Sequence, residues 1–267
     1  MDSKYSQEVS MYGKKDAIIA LCVYVVFLIW GIVSWVITDI LDGTLRQTQI
    51  IGMISAFILS TLVIAIVLIR KQKISSLGIH KDKLGLALRL GFIFALIPLS
   101  INLLFPAILY DLSFTPFGHM MWMMLYFFFM AAYEDIFFIG FLQTRLYGLF
   151  KSDKVAIGIG AALFALIHVP VALADGGLGL LGPEIIFYLA GLFFMHQALV
   201  LMFRRYFSLF TVMLIHLAIN WSYTSIWRWT AETNYAFFWG SVTGLVFIVG
   251  ANTWDWCMKK RMGKAAQ

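Results

Sequence analysis

Long apolar runs separated by short polar segments dominate this chain. An apolar stretch of about 20 residues is long enough to cross a hydrocarbon core as a helix. Scanning for such stretches gives eight: Ala17–Ile37, Ile50–Ile69, Leu84–Tyr110, Phe117–Gly148, Val155–Leu173, Pro183–Phe203, Phe207–Ile226 and Tyr235–Met258. Barrel strands would alternate polar and apolar residues, and these runs do not. The expected fold is therefore all-α: a polytopic helical membrane bundle of about eight transmembrane helices. The connections are short and no repeat is visible, so residues 1–267 read as a single membrane domain.

Composition agrees with the pattern. Hydrophobic residues make up 61% of the 267 and charged ones 13%, far from the balance of a soluble domain. The charge adds orientation, because short loops rich in Lys and Arg stay on the cytoplasmic side. With the N-terminus inside, eight spans place 18 of the 20 Lys and Arg on that face, leaving only Arg46 and Arg228 opposite. An N-in, C-in arrangement follows. The net charge of +6 then reports topology; it excludes nothing about lipid, and anionic headgroups are the natural partner of those loops, whereas no nucleic-acid partner is implied. The polar stretch before Asp16 lacks a signal-peptide layout, and the first span is expected to be retained. Cys22 and Cys257 show no metal-binding or disulfide spacing.

Local features shape the runs. Pro98, Pro106 and Pro170 should each bend a helix and free a carbonyl. Pro183 suits the first position of a helix, with Glu184 at its positive end. Ala156, Gly158, Gly160, Ala161 and Ala162 offer a surface for close helix approach.

Polar groups inside the runs are the candidate chemistry. Glu134 and Asp135 stand side by side in a segment otherwise built for lipid, and His168, His196, His216 and Asn220 lie at similar depth in other spans. A charged residue at mid-membrane costs roughly 3 kcal/mol on insertion scales, so such groups usually face a bundle interior and mark a reaction or transport path. As neighbours on a helix, Glu134 and Asp135 point about 100 degrees apart, so one acid can address a water while the other turns toward a neighbouring helix. His216 and Asn220, four apart, share a face, as do Phe164 and His168. Carboxylates and imidazoles that converge can polarise water, which makes buried hydrolysis one reading and proton-coupled transport another. His119 reads as an interhelical hydrogen-bonding group, and the aromatic excess as lipid-facing bulk and interfacial belt.

Three motifs, in order and on three spans, resemble the CPBP family of intramembrane proteases, which includes CAAX prenyl endopeptidases and bacteriocin-processing or self-immunity proteins. The family pattern runs Glu-Glu-x-x-x-Arg, Phe-x-x-x-His, His-x-x-x-Asn. Here the first reads Glu134-Asp135-Ile136-Phe137-Phe138-Ile139, the second Phe164-Ala165-Leu166-Ile167-His168, and the third His216-Leu217-Ala218-Ile219-Asn220. The resemblance covers a core of about residues 117–226. It implies that Glu134 is the general base that activates water, that His168 helps hold that water, and that His216 and Asn220 stabilise the oxyanion, with Asp135, Phe164 and His196 in support. The implied substrate is a membrane-anchored or prenylated protein or peptide.

Two departures stand out. Asp replaces the second Glu at position 135, and Ile139 replaces the motif Arg, so the acid–guanidinium pair expected four apart on a helix is missing. Asp135 must then be protonated, hydrogen-bonded elsewhere or reached by water; His196 is a candidate partner, while Arg145 is too far along the helix. These departures keep open a catalytically impaired scaffold or regulator of another membrane or envelope protein. A proton-linked transporter is the further alternative, although paired broken helices are not visible. The metal question also stays open: Glu134, His168 and His216 could form a two-His, one-carboxylate zinc site, whereas the absence of His-Glu-x-x-His spacing favours a water held by protein groups. A bacterial plasma membrane is the expected location, with the endoplasmic reticulum the alternative.

Overall fold

The computed structural model describes residues 3–40, 45–173 and 184–228, with isolated positions between 242 and 257. The described chain is helical: α1 Ser3–Ser10, α2 Lys14–Ile40, α3 Leu45–Ile69, α4 Leu84–Leu109, α5 Phe117–Glu134, a π-helical stretch Asp135–Gln143, α6 Thr144–Phe150, α7 Asp153–Ile167, α8 Val169–Leu173, α9 Glu184–Tyr206 and α10 Leu209–Ser225. Among the described residues there is no β-strand, only an isolated bridge between Phe114 and Trp227. Among the described residues, five helical segments are long and apolar enough to cross a membrane, and this is an integral membrane protein.

Two differences from the expected spans have clear causes. The run Val155–Leu173 is not one helix: α7 stops at Ile167, His168 caps it, and the five-residue α8 follows. Pro170 lacks an N–H and its ring crowds the carbonyl four residues back, which kinks or breaks a helix, and here α7 ends before it. By contrast α4 runs on through Pro98 and Pro106. The second difference lies in Phe117–Phe150, where the helix changes register at Asp135 instead of staying α-helical. The eighth run, Tyr235–Met258, and the Pro183 helix start lie outside the described residues, apart from a few isolated positions in the former.

Phe117–Phe150 forms the centre and α4 the periphery. Half of the central segment's apolar window is buried inside the bundle, against 22% for α4, whose Phe92, Leu96 and Ile108 face outward as lipid-facing residues must. Helices α3 and α10 pack on α5, α2 packs on α6, and α7 packs on α9. Phe27, Phe137, Phe138, Phe164 and Phe203 fill the shared core. On α7, Ala156 and Ala161 are buried, whereas Ala162 points outward.

Polar staples fix α10 against α4, which matters because α10 carries two of the candidate residues. Thr211 Oγ1 donates to Ala87 O at 3.1 Å, and Asn102 Nδ2 donates to Ser222 Oγ at 2.8 Å. The indole N–H of Trp227 donates to Asn102 O at 2.9 Å. In a medium without water, each such bond satisfies groups that would otherwise stay unpaired.

One end of the bundle gathers the basic residues. Arg70 pairs with Asp16 and Arg204 with Asp153, both at 2.6 Å, and Lys151 donates to Tyr12 O. The positive-inside bias assigns this end to the cytoplasm. Gly148 allows the N-terminal turn to lie against α6, since a Cβ there would overlap the Gly13 backbone.

Candidate active site

The site begins where α5 changes register. Glu134 is the last α-helical residue and Asp135 the first of the π-helical stretch. A π-helix pairs backbone groups five residues apart and is wider than an α-helix. Position 139 gives Asp135 no charged partner. Ile139 is instead 1% exposed and packed in the apolar core.

The vacated partnership is filled from α10. His216 Nδ1–H donates to Asp135 Oδ1 at 3.0 Å, and His216 Nε2 faces Glu134 Oε2 at 3.5 Å. The two adjacent acids thus flank the two nitrogens of one imidazole, rather than one of them turning to a different helix. Asp135 bonds His216 and not His196, the partner considered from sequence.

His168 approaches Glu134 from the other side. Its position at the end of α7 leaves the Phe164 carbonyl available, because the His168 backbone N–H bonds Ala165 O instead. The His168 ring takes that carbonyl, with Nδ1–H donating to Phe164 O at 2.7 Å. A carbonyl can only accept, so the proton sits on Nδ1 and the Nε2 lone pair is left facing Glu134 Oε1 at 3.9 Å. Phe-x-x-x-His spacing is therefore a device for orienting the imidazole as well as a sequence signature.

Glu134, His168 and His216 converge without being bonded to one another. Separations of 3.5 and 3.9 Å exceed hydrogen-bond length, as catalytic contacts often do before substrate arrives. Access is one-sided: the Glu134 side chain is 10% exposed and that of His168 19%, while those of Asp135 and His216 are 1% or less. Exposure is thus concentrated on Glu134 and His168, with Asp135 and His216 behind them. Asn220 lies half-buried one helical turn after His216. The Phe164 ring touches all three histidines, stacked on His196 with centroids 4.9 Å apart and set against His168 and His216. His119 is exposed on the first turn of α5, about four turns from Glu134, and takes no part.

Residues 116–222 match the model of the type II CAAX prenyl endopeptidase Rce1-like family. This segment is similar to the CPBP family of intramembrane proteases. All three motifs fall inside the matched segment, and so does every contact described for Glu134, Asp135, His168 and His216. No curated protein matches the chain.

A zinc ion would need this site to bring three ligands to one point. The donor types are suitable, and the Nδ1 bonds of both histidines leave Nε2 available. Among the described residues no three His, Cys, Asp or Glu side chains form a group arranged to hold a metal ion.

Sequence reasoning missed two residues. Gln143, at the end of the π-helical stretch, is 1% exposed and adjoins the histidine cluster. Arg145, counted among cytoplasmic loop residues, is instead buried inside the bundle. It does not reach Asp135. Its guanidinium Nη atoms donate to Gly140 O, Thr144 Oγ1, Gln72 Oε1 and Ser76 Oγ, at 2.7 to 3.0 Å, between the rings of Tyr12 and Phe141. A polar residue in a long apolar run was the available signal for both.

Proposed function

We propose that the protein is an intramembrane endopeptidase that hydrolyses a peptide bond in a membrane-anchored or prenylated substrate, in a bacterial plasma membrane. The observation that carries this reading is the convergence of Glu134 with the Nε2 atoms of two oriented histidines. A water between Glu134 and His168 can give one proton to the carboxylate while the His168 lone pair holds the other. The water oxygen attacks the scissile carbonyl, and the proton taken by Glu134 passes to the leaving amine. In the form with a proton on each ring nitrogen, His216 is anchored through Nδ1 and offers Nε2–H to the oxyanion; Asn220 supplies a second donor. Asp135 acts through His216, holding the ring rather than touching substrate. No side-chain nucleophile enters this scheme.

A catalytically impaired scaffold is the second reading, favoured by the buried Ile139 at the motif Arg position. Cleavage of a fluorogenic prenylated peptide ending in a CAAX sequence, by wild type and Glu134→Gln protein in liposomes, separates them. Protease activity requires cleavage by wild type and its loss in the variant; equal product from both supports the scaffold. Metal content and chelator sensitivity, measured on the same preparations, test the water-only scheme. Stoichiometric metal together with chelator inactivation would replace it with a metal-assisted one.

A further inference from the structure

Against the Phe164 ring, three buried polar atoms have no hydrogen-bond partner among the described residues. They are His196 Nδ1, His196 Nε2 and Gln143 Oε1. The His196 ring is fully buried and Gln143 is 1% exposed. Both border one notch on α7: a Cβ at Gly160 would overlap Gln143 Oε1 and stand 3.4 Å from His196 Nε2. An imidazole nitrogen and an amide oxygen left unpaired in an apolar bundle are each destabilising. A buried water typically makes two to four hydrogen bonds to such groups, and the missing side chain at Gly160 is what lets the Gln143 amide oxygen lie against α7 beside His196.

From these contacts we propose that His196 and Gln143 hold a water molecule over Gly160, in a second solvent site that supplies the hydrolytic water. The supply role rests on the endopeptidase reading; the water site itself does not. Each hydrolysis breaks one C–N bond, forms one C–OH bond and moves one proton to the amine, so one water is consumed per turnover and must be replaced. Lipid cannot provide it. The Phe164 ring stacks on His196 and is set against both catalytic imidazoles, and Gln143 lies along the segment from Glu134 toward Arg145. A water held there stands between the basic, aqueous end and the reacting centre.

The test uses full-length protein labelled with 15N-histidine in lipid nanodiscs, reading magnetisation transfer from water to the His196 ring. Transfer is expected in wild type and equally in Glu134→Gln. It should be lost in Gly160→Ala, with Gln143→Leu as a second variant that removes the acceptor without crowding α7. No transfer in wild type, or a direct His196–Gln143 hydrogen bond, would overturn the site. For the supply role, His196→Phe keeps the stack on Phe164 and should lower peptide turnover on the order of tenfold with KM unchanged. Unchanged turnover in that variant would overturn the supply role. Retained proteolysis in Glu134→Gln with intact water transfer would count against the hydrolytic reading alone.

Discussion

Two buried polar centres sit on the same long segment, about three turns apart, and they are built on opposite plans. Around Arg145, Nη groups meet four oxygens, two rings sandwich the guanidinium, and Gln72 extends the network to Asp16 and Arg70; a lone Nε is left over. Around Glu134, by contrast, Asp135 Oδ2 and His216 Nε2 have no hydrogen-bond partner among the described groups, and two contacts stand beyond bonding distance. A satisfied centre holds structure. An unsatisfied one, costly to keep in an apolar bundle, is kept for something that arrives. The difference separates the residue that locks the cytoplasmic end of the bundle from those that face substrate.

Substitutions at each centre should therefore be read out differently. The largest effect is expected for Arg145→Met, which strands Gln72, Ser76 and the Gly140 carbonyl. A loss of about 3 to 5 kcal/mol of stability, seen as a large drop in detergent melting temperature, is the expected result. Next is Ile139→Arg, which restores the family motif. Because Ile139 is packed in the apolar core and Asp135 is already held by His216, the new guanidinium should crowd that core and destabilise by about 3 kcal/mol rather than raise activity. Higher activity with an unchanged melting point would mean that Asp135 takes the guanidinium as a partner beside His216.

At the unsatisfied centre, Asp135→Asn should leave the melting temperature nearly unchanged while lowering peptide turnover about 10- to 100-fold, since the amide no longer fixes the His216 ring. A melting loss without a turnover loss would move Asp135 to the structural side of the comparison. The smallest effect is expected for Ser222→Ala, which removes the acceptor of Asn102 between α10 and α4. About 1 kcal/mol of stability, with turnover falling only slightly, is expected from thermal unfolding and the peptide assay together.

Much of this was legible in the sequence, for physical reasons that also mark its limits. Hydrophobic run length identifies membrane helices because lipid leaves the backbone no other way to pair its polar groups. Pro170 announced a disturbance near His168, although not that the helix would end there and release the Phe164 carbonyl to the ring. Glu134, His168 and His216 stood out because ionisable groups are costly in lipid. The Asp135–His216 bond was hidden, since it joins helices far apart in sequence. Arg145 was misplaced for a related reason: charge counting treats every Arg near a span end as solvated, whereas oxygens from two separate segments and two aromatic rings meet this one inside the bundle.

The most direct test of the central claim is single-turnover cleavage of the prenylated CAAX peptide by wild type and Glu134→Gln protein in matched liposomes, with melting temperatures measured in parallel. The convergent geometry predicts cleavage by wild type, a rate lower by about 10² to 10⁴ in the variant, and equal thermal stability. Cleavage at the same rate by both proteins would contradict it.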